Sequence, residues 1–141
     1  MPDKIAPQLA YILLIEDNLQ NTVLISRLLD HLKVAGYEWK ASGWQVEEVL
    51  TRLPRLDLIL LDLHLPREDG YTVLINIRNN PSFAETRVVA VTADATPQTM
   101  AQARRAGFDG FLGKPINPSK FSQQITDILA GEPVWETQSF D

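Results

Sequence analysis

The chain contains no cysteine, so it can build neither a disulfide framework nor a thiolate metal site, and a reducing, cytoplasmic setting is expected. Its two histidines, His31 and His64, follow no metal-ligand spacing. No apolar run is long enough to cross a bilayer, and residues 1–10 lack the basic flank and apolar stretch of a leader, which argues against secretion and against a membrane partner. Positive charge is also scarce: 13 Lys and Arg against 18 Asp and Glu leave a net charge of −5 with no basic cluster, so no nucleic-acid partner is expected. Glycine-rich signatures are missing as well. The first apolar run leads into Glu16-Asp17-Asn18, where a dinucleotide fold needs a glycine turn and where two acids would repel a pyrophosphate. Gly113-Lys114 is no phosphate loop, because Phe108 and Pro115 stand where Gly and Ser/Thr are required, and no Gly-x-Ser-x-Gly elbow occurs.

What is present suits one globular domain. With 141 residues, 45% of them hydrophobic, the chain has enough apolar side chains for one domain with a real core, and a second folded domain would not fit. Residues 11–15, 58–61 and 88–91 are short continuous apolar runs, the pattern of strands buried on both faces of a parallel sheet. They read as the first, third and fourth strands, with residues 37–41 as an edge strand between the first two. Helical spacing lies between them: Leu24, Ile25, Leu28, Leu29 and Leu32; then Val46, Val49, Leu50 and Leu53; then Val73, Leu74 and Ile77. Asn18 is a cap for the first helix and Gly36 its stop. Thr96-Pro97 opens a further helix that Gly107 closes, residues 110–112 form a very short strand, and Asn117 or Pro118 starts a last helix carrying Phe121, Ile125, Ile128 and Leu129. Strict alternation of strand and helix predicts an α/β fold, a doubly wound (βα)5 domain. The expected boundaries are an N-terminal extension at 1–10, the domain at 11–131 and an irregular tail at 132–141 that holds Trp135 and Phe140.

In open α/β sheets, ligands bind beyond the carboxyl ends of the strands. Here the first strand runs into Glu16-Asp17, the third ends in Asp62, the fourth in Thr92, and the fifth is followed by Lys114-Pro115. Carboxylates held close raise one another's pKa values unless a hard cation neutralises them, and Mg²⁺, which prefers oxygen ligands, fits that task. An aspartate so neutralised, with a lysine ammonium beside it, can act as a nucleophile toward phosphorus.

On these residues, together with Asp62-Leu63-His64-Leu65-Pro66, Asp69-Gly70, Thr92-Ala93, Phe111 and Lys114-Pro115, the chain resembles the receiver domain of two-component response regulators over about residues 11–130. The resemblance implies a flavodoxin-like sheet of order 2-1-3-4-5. It implies that Asp62 is the phosphoacceptor, that Asp17 and Asp62 bind Mg²⁺ directly, that Glu16 acts through water, and that the backbone carbonyl of His64 completes the protein ligands. Lys114 would contact the phosphoryl group, held by a cis bond to Pro115. Thr92 and Phe111 would form a switch pair, read out on the face made by the fourth helix, fifth strand and fifth helix. The implied donor is a histidine kinase or phosphotransfer protein, and the implied product is a stand-alone signalling switch, not a metabolic enzyme, that acts on a downstream protein.

The helix beginning at Pro97 offers Met100 and several alanines but no large aliphatic stripe, which predicts weak anchoring. Gln124 stands where receivers that dimerise through that face carry arginine, so a monomer or weak dimer is expected. Trp39 and Trp44 read as packing residues beside the edge strand, and the His64 side chain as solvent-facing. Two rival functions differ in chemistry. A degenerate receiver would be a constitutive binding module, which the full acidic set and Lys114 oppose. A haloacid-dehalogenase-like phosphatase would need a second aspartate where His64 stands.

Overall fold

The computed structural model describes residues 4–136. Strand β1 (Tyr11–Ile15), β3 (Leu58–Asp62) and β6 (Arg87–Thr92) form the centre of a parallel sheet, and all their residues but Tyr11 are buried. Side chains alternate across a strand, so continuous apolar runs supply two cores at once. Leu13, Ile15, Ile59, Leu61, Val88 and Ala90 point to one face, whereas Ile12, Leu14, Leu58, Leu60, Val89 and Val91 point to the other. The first core is closed by α2 (Gly70–Arg78) and α3 (Pro97–Ala106), and the second by α1 (Leu19–Leu32) and α4 (Pro118–Leu129).

β2 (Gly36–Lys40) is the edge beside β1, and β7 (Gly110–Gly113) lies beside β6, so the expected α/β fold and strand order are observed. One strand is added. Trp135–Glu136 form β8, parallel to β7, which makes the sheet six-stranded and gives order to part of what reads as an irregular tail. Two residues carry no detectable period, and the pairing comes from the strand β7 they meet. Phe140 lies outside the described residues.

The caps follow the sequence closely. Asn18, Thr96 and Asn117 accept backbone N–H groups in the first turns of α1, α3 and α4, and Gly107 closes α3 at φ 105°. Helix α1 instead ends on Lys33, in the left-handed region at φ 59°, and Gly36 is the first residue of β2. There is no α-helix in the second crossover. Val46–Thr51 form a six-residue 3-10 turn, since a spacing of three between Val46 and Val49 suits a 3-10 helix as well as an α-helix, and Pro54 limits its length. Trp44 does not pack: it is 72% exposed. The short antiparallel pair β4 (His64–Leu65) and β5 (Glu68–Asp69) follows β3, and folds tightly because Gly70 leaves room; a Cβ there would lie 2.8 Å from the Leu63 Cα. Among the described residues, no helix is long and apolar enough to cross a membrane.

Candidate functional site

The carboxyl ends of β1, β3, β6 and β7 meet at one rim. Glu16 and Asp62 are buried, at 1% and 5% exposure, while Asp17 is exposed. One carboxylate oxygen from each of the three lies within 4.8 Å of the others, an all-oxygen anionic set of the kind that suits a small hard cation. Lys114 reaches across from the end of β7. Its Nζ lies 2.7 Å from Glu16 Oε1 and 3.1 Å from Asp62 Oδ2. Its backbone N–H donates to the Thr92 carbonyl at 2.8 Å, and its peptide bond to Pro115 is cis.

The two buried acids, Glu16 and Asp62, are each held from more than one side. The second oxygen of Glu16, Oε2, accepts the Asn18 N–H at 3.1 Å, and Asp62 Oδ1 accepts the His64 N–H at 2.9 Å. The His64 side chain itself is exposed. Burial, opposed by Lys114 and reinforced by neighbouring Asp62, leaves the Glu16 carboxyl above the usual carboxylate range. Burial disfavours the Lys114 ammonium, yet the carboxylates of Glu16 and Asp62 outweigh it and raise its pKa above that of a free lysine. Lys114 is therefore fully charged at neutral pH.

Thr92, at the end of β6, is fully buried, and its Oγ1 accepts the Asp94 N–H at 3.0 Å. Asp94 Oδ2 in turn accepts the Thr99 hydroxyl at 2.9 Å, in the first turn of α3. Phe111 is fully buried in β7, paired with Ala90, while Thr92 pairs with Gly113. The structure thus gathers Glu16, Asp17, Asp62 and Lys114 directly. Thr92 joins them through the backbone of Lys114, and Phe111 lies three residues back along the same strand.

Nothing in the sequence marks Trp39 as a neighbour of the site. Although 44% exposed, it donates its indole N–H to the Glu16 carbonyl at 2.6 Å, and the Glu16 N–H donates to Lys40 at 3.0 Å. The edge strand therefore holds the acidic corner of β1 on both backbone atoms. Only register could have revealed this, since Leu14 pairs with Trp39 and places the indole just past the end of β1.

The model of the response regulator receiver domain matches residues 12–126. The chain is 36% identical over 123 residues to the peroxide stress-activated histidine kinase mak1 of Schizosaccharomyces pombe, covering 84% of this chain and 7% of that kinase. It is 30% identical over 119 residues to the polar-differentiation response regulator DivK of Brucella anthropi, covering 84% of this chain and 94% of the regulator. The chain therefore spans a small part of the kinases it matches and nearly the whole of the short regulator. Among solved structures, the receiver domain of the sensor histidine kinase PA1611 from Pseudomonas aeruginosa, with magnesium coordinated in its active-site cleft, superposes with a TM-score of 0.71 at 30% identity, covering 88% of this chain and 99% of that one. The Vibrio cholerae chemotaxis protein CheY4 shares the fold at a TM-score of 0.75 and 21% identity, covering 85% of this chain and 98% of that one. With its acids, lysine and threonine at the rim of a parallel α/β sheet and a family match over most of its length, this chain belongs to the response regulator receiver domains.

Proposed function

We propose that the chain is a phosphoryl-accepting signalling switch in which Asp62 takes a phosphoryl group from a phosphohistidine on a kinase or phosphotransfer protein. The observation that carries this reading is the ion pair between the Asp62 carboxylate and Lys114 at 3.1 Å, within one cluster with Glu16 and Asp17. In the transfer, an Asp62 oxygen forms a bond to phosphorus as the P–N bond breaks, and the imidazole leaves with the electron pair. The Lys114 ammonium offsets charge on the transferred group, and the Thr92 hydroxyl turns from Asp94 to donate to one of its oxygens.

By the family resemblance, Asp17, Asp62 and the His64 carbonyl would hold Mg²⁺ directly and Glu16 would act through water; one carboxylate oxygen from each of the three acids lies within 4.8 Å of the others, which supports a shared ion. When bound, the ion neutralises the carboxylates and the phosphoryl oxygens between them. Thr92 and Phe111 form the switch pair, and the altered surface acts on a downstream protein or passes the group onward. The chain promotes its own phosphorylation and hydrolysis and has no metabolic substrate.

Incubation with acetyl phosphate and Mg²⁺ is expected to add the mass of one phosphoryl group, and the addition is expected to vanish without Mg²⁺ or in Asp62→Asn. A chain that gains no mass is a degenerate receiver. Steady turnover of phosphomonoesters would instead make it a phosphatase.

A further inference from the structure

Strand β7 would be an open sheet edge if β8 did not cover it. The covering segment is small and specifically held. The Phe111 N–H donates to the Val134 carbonyl at 2.9 Å, and Trp135 pairs with Phe111. Gly110 permits the approach, because a Cβ there would meet the Val134 oxygen at 2.9 Å. From one side, the Arg104 guanidinium of α3 lies 4.3 Å from the centre of the Trp135 ring; from the other, Gln124 of α4 donates to Glu136 at 2.8 Å. The segment therefore joins α3, β7 and α4.

Helix α3 depends on such attachments, since Ala103 is its only buried residue. Its first turn is tied to the rim by the relay from Thr92 through Asp94 to Thr99, and its last turn is tied to β8 by Arg104 over Trp135. A helix with so little buried surface can shift at low cost when one end is released.

We propose that residues 134–136 are a phosphorylation-released latch: docked on β7 they hold α3, and when the Thr92 hydroxyl leaves Asp94 for a phosphorylated Asp62 they undock, baring the β7 edge to an extended strand of a partner protein. This rests on Asp62 being the phosphoacceptor.

The Phe111 amide reports the latch directly, because its acceptor is Val134. Amide exchange of the full chain is followed by NMR before and after phosphorylation with acetyl phosphate and Mg²⁺, with intact mass recorded in parallel. Exchange at Phe111 is expected to accelerate by about ten-fold or more on phosphorylation, while amides of β1 and β3 stay protected. In Trp135→Ala and in Gly110→Ala, exchange at Phe111 is expected to be fast already without phosphate. Full phosphorylation with Phe111 still protected overturns the latch alone, as does slow exchange at Phe111 in a folded Trp135→Ala chain. Absence of any mass gain overturns the phosphoacceptor reading and the latch with it. If Gly110→Ala does not fold, Trp135→Ala decides.

Discussion

Trp39 donates its indole N–H to the backbone carbonyl of Glu16 at 2.6 Å, so the edge strand grips the acidic corner of the rim from outside the sheet. Glu16 ends up buried beside Asp62, and its carboxyl depends on Lys114 for its counter-charge. Most of the site's behaviour follows from that crowding.

The Trp39 contact predicts a modest structural role. In Trp39→Phe the ring remains but the donor is lost, and urea unfolding is expected to show a loss of about 1 kcal/mol, the usual net worth of one hydrogen bond. An unchanged urea midpoint would show that the indole contact contributes nothing.

Glu16 predicts a pH dependence. Its pKa in the folded chain is raised above the reference value of 4.5, so its stabilising contribution is full below that pH and is lost as pH rises through the folded value. In metal-free buffer, Glu16→Gln should therefore melt close to the parent chain near pH 4.5 and increasingly above it as pH rises toward 8. Thermal melts of both chains across that range check the sign; a gap that narrows with rising pH contradicts it.

Thr92 predicts a separation of chemistry from signal. In Thr92→Ala, Asp62 should still be phosphorylated by acetyl phosphate, slowed about ten-fold by loss of one donor to a charged group. The α3 amide shifts that accompany phosphorylation should be absent. Full α3 shifts in the variant would exclude Thr92 from the relay.

The opposite end of the sheet offers a control. Asp57 is buried there, and its Oδ2 accepts the Tyr11 N–H at 2.8 Å while Oδ1 accepts from Arg55 at 2.9 Å. Asp57→Ala leaves the Tyr11 N–H without its acceptor and is expected to cost about 2 kcal/mol in chemical denaturation, with phosphorylation of the folded fraction unchanged. Loss of phosphorylation at full folding would contradict the independence of the two ends.

The sequence by itself determined the buried strands, the four long helices and the rim on which the acids and the lysine collect. Unbroken runs such as 58–61 can satisfy two apolar faces only inside a covered parallel sheet, and the residues that follow such strands have only the rim to occupy. Tertiary structure alone decided the rest. The spacing of Val46 and Val49 suits two kinds of helix, so packing chose the 3-10 turn. Trp39 and Trp44 are alike in sequence, yet one holds Glu16 and the other stands 72% exposed. A two-residue strand such as Trp135–Glu136 has no period of its own; it exists because β7 supplies its hydrogen bonds and Arg104 its ring contact, and both lie far away along the chain.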